Sequence, residues 1–171
     1  MSSQGTMDNY AFEELEESHR RPVMDIFNFY IRTTQAAFPG EEMGDDLFDR
    51  FLEISQGYPR AAVKSPAGEV VGFAFLHPYH LADSFKRAAE IAYFFRSEHT
   101  RKGLGTAILD LFSRQCLEVG VDTILAAVSS RNPGSLAFHR RNGFRECGHF
   151  QRVGRKWGED FDVIWMQKLL A

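Results

Sequence analysis

The stretch HTRKGLGTAIL, His99 to Leu109, constrains this chain more than any other. A basic turn spaced by Gly103 and Gly105 runs straight into an apolar helical pattern. Ile108, Leu111, Phe112 and Val119 keep that spacing until Gly120 stops it. Buried-strand patterns flank the unit, AAEIAYFFR before it and DTILAAV after it. A strand, turn, helix, strand order points to a sheet with a helix packed on its face. Glycines in such a turn let the backbone come close to an anion. The amides of Arg101, Lys102, Gly103, Leu104, Gly105 and Thr106 can point at it, and the helix N-terminus adds roughly half a positive charge. Arg101 and Lys102 supply the mobile cations a pyrophosphate attracts. Taken alone, the loop is equally well explained as a glycine-tightened turn with two solvated basic residues.

Two phosphate loops are excluded by spelling. A GxxxxGK[ST] loop needs Lys-Ser or Lys-Thr after its last glycine, which neither Gly103 nor Gly105 has. The dinucleotide pattern GxGxxG fails at its last position, where Ile108 stands, and it usually opens a domain instead of lying past the midpoint.

The other elements follow from periodicity. YAFEEL alternates as a first strand. Ser18 precedes HRRPVMDIFNFYIR, a helical pattern, and DDLFDRFLEI resumes one after the break FPGEEMG. RAAVKSPAGEVVGFAFL is predicted as a hairpin around Ser65-Pro66-Ala67-Gly68. After the second buried strand, SSRNPGS is a turn, Ser135 is the expected N-cap, and LAFHRRNG is a short helix closed by Gly143. The end of the chain is predicted as two strands around Lys156-Trp157-Gly158-Glu159-Asp160. The expected fold class is α/β: a mixed sheet with helices on both faces in a single domain over residues 10–171, preceded by a flexible tail over 1–9.

Charge is nearly balanced, 20 Lys and Arg against 23 Asp and Glu, net −3. That argues against nucleic acid as the main partner. No apolar run reaches the roughly 20 residues of a membrane span, and MSSQGTMDNY lacks the features of a signal peptide. Cys116 and Cys147 are far apart with no metal-ligand spacing, and are expected as reduced, mostly buried thiols. A cytoplasmic protein without metal or membrane is the expectation.

Strand EIAYFF, loop TRKGLGT, the apolar helix, strand ILAAVSS and then NPGSLAFHRRNGF resemble the acetyl-CoA half of the GNAT superfamily of N-acetyltransferases. FNFYIRTTQAAF, with Asn28 and Phe38, and the hairpin RVGRKWGEDFDVIWMQKLL are similar to the phosphinothricin and methionine-sulfone acetyltransferase branch. The resemblance runs from about Phe12 to Leu170. It implies a mostly antiparallel sheet, acetyl-CoA as cosubstrate with its pyrophosphate on the loop, and a homodimer. Thr100 departs from the family's Gln or Arg, at the cost of one polar contact.

Amide formation needs a proton acceptor for an amine whose pKa lies far above neutral. Glu90, a carboxylate in an otherwise apolar strand, is the candidate base. The resemblance implies the same role, while a structural pairing with an arginine on the next strand would also explain it. By resemblance, backbone groups at Tyr93, Phe94 and Phe95 hold the pantetheine and polarise the thioester, although these side chains also suit a core. Asn132 and Arg141 fall at cofactor contacts, with a turn and a solvated helix face as their plain explanations. His139 is a candidate proton shuttle or acid for the leaving thiolate, or else a satisfied core histidine. Neither cysteine has a context that lowers a thiol pKa.

The branch carries Arg, Tyr and Thr before the glutamate, where this chain has Ala82, Phe85 and Ala88. Lys86 and Arg87 lie nearby, but spacing does not show that either replaces the missing arginine. An anionic amino-acid analogue thus loses its expected arginine contact, and a less acidic, more apolar amine fits Phe38, Phe85 and Trp157 about as well. The expected substrate is the primary amine of a small molecule, an amino acid or analogue. A peptide N-terminus, or coenzyme A binding without turnover, are the alternatives.

Overall fold

The computed structural model describes residues 6–7 and 9–170. Eight strands form one sheet in the order β1-β2-β3-β4-β5-β6-β8-β7. They are β1 (Thr6–Met7), β2 (Tyr10–Glu14), β3 (Arg60–Lys64), β4 (Val70–Pro78), β5 (Ala88–Phe95), β6 (Thr123–Ser129), β7 (Arg145–Lys156) and β8 (Glu159–Leu169). Every neighbouring pair is antiparallel except β5 and β6. A parallel pair needs a long crossover, which the helix after the glycine turn supplies.

Four helices cover the sheet: α1 (Arg20–Thr33), α2 (Leu47–Ile54), α3 (Leu104–Glu118) and α4 (Pro133–Arg141). Alternation along the strands splits the core in two, because successive side chains point to opposite faces. On one face Phe73 and Phe75 of β4 pack with Phe27 of α1 and Phe48 and Phe51 of α2, an aromatic layer. On the other, Ala74 and Leu76 of β4 pack against Ile108, Leu109 and Phe112 of α3, with Leu136 of α4 in the same cluster.

Local chemistry sets the boundaries. Gly68 (φ +82°) turns the β3–β4 hairpin, and Trp157 and Gly158, at φ 53° and 76°, form the two-residue turn between β7 and β8. The expected N-cap of α4 is corrected: Asn132 caps it, its Oδ1 accepting the Ser135 amide at 3.2 Å, with Pro133 in the first turn. Asparagine accepts from the third residue on, and proline needs no partner for a missing N–H, so the helix starts earlier. Of the tail expected over 1–9, residues 1–5 and 8 lie outside the described residues. Thr6–Met7 instead form an edge strand paired with Tyr10 and Ala11. The expectation of two mostly buried thiols holds for Cys116 alone. Cys147 is exposed on β7, a strand whose residues are largely solvent-facing. No described helix is long and apolar enough to cross a membrane.

One buried cation joins two distant segments. Lys156, only 3% exposed, donates from Nζ to the carbonyls of Thr34 at 2.7 Å and Ala37 at 2.8 Å. Burial pushes its pKa below the usual lysine value. The contact fastens the β7–β8 turn to the segment after α1, where Phe38 stacks on Phe161. Lys156→Met leaves both carbonyls without this donor and should cost about 1–3 kcal/mol. Thermal unfolding should show a melting temperature lower by several degrees, and an unchanged value would contradict the tie.

Candidate active site

The site begins where two strands part. β5 and β6 stay in register only over Ala88–Glu90 against Thr123–Leu125, whereas β5 remains paired with β4 through Phe95. The Arg96 amide donates to Val71 on the β4 side. By the alternation of an antiparallel ladder, the amides of Phe94 and Ala92 also face β4, and those of Tyr93 and Phe95 face the gap. The Phe95 carbonyl on that side accepts the Tyr30 hydroxyl of α1. The Tyr93 and Phe95 amides are therefore donors on a strand edge inside the fold.

The glycine turn borders the same gap. Arg101 (φ 59°) and Gly103 (φ 80°) are left-handed, and Gly103 is the N-cap of α3 with no side chain capping it. The first helical amide satisfied within the turn is Ala107 on Gly103, so the amides of Leu104, Gly105 and Thr106 are the free donors of the helix start. Gly105 is helical, and its lack of a side chain serves packing. A Cβ there would meet Phe138 Cζ of α4 at 2.8 Å.

A cleft of about 1270 Å³ runs from this turn to the aromatic layer. Glu90 lies on it, sharing a face with Ala92 and Phe94 on the α1–α2 side. Burial raises the Glu90 pKa, and His77, directly opposite on β4, pulls the other way only when its ring carries a proton. The facing atoms, His77 Nε2 and Glu90 Oε2, are 3.7 Å apart. The partner of Glu90 is thus a histidine, where an arginine would have made a purely structural pair.

On the α3–α4 side, Tyr93 and His139 form a second pair. His139 is 3% exposed, and its Nδ1 donates to the Ser135 carbonyl at 2.7 Å. That leaves Nε2 as an acceptor for the Tyr93 hydroxyl, 2.6 Å away. Burial keeps the imidazole pKa below its ordinary value and pushes the phenol up. With both nitrogens engaged and the ring neutral, His139 in this arrangement holds Tyr93 and has no proton of its own to give the cleft.

The cleft brings together Phe38, Glu90, Tyr93, Phe94, Phe95, Arg101, Gly103, Leu104, Gly105, Thr106, Asn132, His139 and Arg141. Three expected residues lie elsewhere. Phe85 packs on Tyr79 and His80 at the surface, because a short 3-10 turn over Asp83–Phe85 carries it away from the cleft. Lys102 points behind the loop, its Nζ 3.5 Å from the Tyr10 hydroxyl, which itself pairs with His99 Nδ1 at 2.8 Å. Trp157 lies over Lys156 at the hairpin turn and is not among the lining residues. Sequence reasoning missed His77, Tyr30 and His99. Only His77 left a signal, as a histidine closing the apolar run VVGFAFL. The Cys116 thiol, fully buried, is pushed up to about 12 and is chemically inert.

Residues 23–144 match the acetyltransferase (GNAT) family. An L-methionine sulfoximine/L-methionine sulfone acetyltransferase of Pseudomonas aeruginosa is 33% identical over 149 residues, 85% of this chain and 86% of the relative. A phosphinothricin N-acetyltransferase of Streptomyces coelicolor is 26% identical, covering 90% of this chain and 92% of its own. The crystal structure of a phosphinothricin acetyltransferase from Sinorhizobium meliloti, in complex with acetyl-CoA, superposes with a TM-score of 0.88 at 22% identity. It covers 95% of this chain and 89% of that one.

The buried, neutral His139 has a consequence for acid stability. The unfolded chain takes up a proton as pH falls through the ordinary value of 6.5, while the folded state resists until its lowered pKa. Stability is therefore full above that window and lost as pH falls through it. In urea unfolding, the margin of the wild type over His139→Gln should shrink as pH falls through and below the ordinary value of 6.5. A margin constant across that range would count against a neutral buried ring.

Proposed function

This chain belongs to the acetyltransferase (GNAT) family, and from that premise we propose that it transfers an acetyl group from acetyl-CoA to the primary amine of an amino acid or amino-acid analogue. The observation that carries the reading is one cleft holding the Glu90 carboxylate, the gap-facing β5 amides and the uncapped start of α3. Acetyl-CoA supplies the activated acetyl thioester. The residues present suit it: free amides of Leu104, Gly105 and Thr106, with Arg101 beside them and Arg141 on α4, for the pyrophosphate end.

The amine arrives protonated, and Glu90 accepts one proton from it. The pKa raised by burial brings the carboxyl closer to the working pH, where a base is most effective. A β5 amide, from Tyr93 or Phe95, donates to the thioester carbonyl oxygen as negative charge builds there. Such a preorganised donor is worth about 3 kcal/mol. Tyr93 lines the cleft with its hydroxyl bound to His139, so we assign His139 a positioning role that acts through Tyr93.

The amine side of the cleft is walled by Phe27, Tyr30, Phe73, Phe75 and Phe94. Among the described residues, the lysines and arginines lining the cleft are Arg101 and Arg141, both on the cofactor side. Without a cation on the amine side, these walls favour an amino acid with a neutral, methionine-sulfone-like side chain over an anionic phosphinothricin-like one. A homodimer in the cytoplasm accompanies the reading, and size-exclusion chromatography tests the dimer.

Thiol release from acetyl-CoA, measured against free amino acids, methionine sulfone, phosphinothricin, polyamines and short peptides, tests the proposal. Turnover should be highest with methionine sulfone and fall about a hundredfold or more in Glu90→Gln. Preference for peptides would replace the substrate class. Acetyl-CoA binding without release to any amine would replace the enzyme with a coenzyme A sensor.

A further inference from the structure

His77 is a residue that the reaction outlined above does not use, yet it stands directly opposite the base. It closes β4 in register with Glu90, so both side chains lie on one face of the sheet. Its Nδ1 is 3.1 Å from the Pro78 carbonyl. A carbonyl only accepts, so Nδ1 carries the hydrogen of the neutral ring and Nε2 presents its lone pair to Glu90 Oε2, 3.7 Å away. Two acceptors facing each other do not close that distance. A proton arriving on Glu90 turns one of them into a donor, and the pair then has a hydrogen bond to make. Both side chains are 25% exposed, and Glu90 lines the cleft whereas His77 does not, so the imidazole meets solvent from outside the cleft.

We propose that His77 is the proton relay of this enzyme, taking from Glu90 the proton that Glu90 takes from the amine and passing it to solvent. The inference rests on Glu90 being the base. The balance is simple. The substrate ammonium gives one proton to the Glu90 carboxylate, which frees the nitrogen lone pair. Glu90 passes that proton to His77 Nε2 and is again a carboxylate. The imidazolium, still hydrogen-bonded from Nδ1 to Pro78, releases the Nε2 proton to water or a buffer base and is again neutral. The nitrogen then forms its bond to the acetyl carbon as the bond to sulfur breaks. Its remaining surplus proton leaves with the thiolate. Glu90 is thereby reset without the carboxyl itself having to meet bulk water from within a cleft closed by substrate.

The tests are the variants His77→Ala and His77→Gln beside Glu90→Gln, assayed at saturating acetyl-CoA and amine. His77→Ala should lose about tenfold in kcat with KM for acetyl-CoA within about twofold. Added imidazole, which can occupy the space left at this partly open site, should restore the rate. His77→Gln keeps a polar side chain of similar length but accepts no proton, and should be slow and indifferent to imidazole. A wild-type kcat in both His77 variants alongside a slow Glu90→Gln would overturn the relay and leave the base in place. A slow His77→Ala that imidazole does not restore would reduce His77 to a structural neighbour. Normal turnover in Glu90→Gln would remove the base, and with it the premise of the relay.

Discussion

Everything functional in this molecule depends on a parallel pairing that lasts three residues. β5 and β6 run together from Ala88 to Glu90 and then separate, while β5 keeps its other neighbour to Phe95. A sheet normally consumes its own hydrogen-bonding capacity. Here one strand edge is left with donors facing inward, at a place both helical layers can reach. The parting also opens a passage through the sheet. The glycine turn and Tyr93 lie toward α3 and α4, Glu90 and the aromatic walls lie toward α1 and α2, and the two sides meet at the gap. The chemistry is divided between faces that alternation along β5 would otherwise keep apart.

The unpaired edge persists because its surroundings are fixed from both sides. Tyr30 of α1 holds the Phe95 carbonyl, and His139 of α4 holds Tyr93. The segment after α1 that closes the aromatic side is held in turn by Lys156 from the far hairpin. These ties span long separations in the chain, so the gap is a property of the assembled core. A strand edge free to move would find a partner in the neighbouring strand or in water.

The sequence was most legible where periodicity and turn chemistry act locally. The glycine turn entering an apolar helix, the two flanking buried strands and the C-terminal hairpin were all evident from spacing, and Glu90 stood out as a charge in an apolar strand. Asn132 shows the limit of local rules. Asn132 and Ser135 are both good caps, and only the backbone decides which one accepts the amide. Phe85 shows another, since an ungapped alignment cannot register a 3-10 turn that swings a side chain outward. His77 and Tyr30 could not be found from spacing, because their significance lies in cross-strand register and in a helix packed over a sheet. Their neighbours in space are not their neighbours in the chain.

Gly105 shows what a short motif does and does not record. Its place in the turn suggested access for an anion, yet the Phe138 ring of the next helix occupies the position its side chain would take. The spelling of the loop is thus held from behind by packing, whatever occupies its front. A descendant of this fold that lost its ligand would remain under pressure to keep that glycine, since replacing it would push α3 and α4 apart. Persistence of the pattern measures the closeness of two helices at least as directly as it measures chemistry, and the free amides and the strand edge beside them are the better witnesses to what the turn binds.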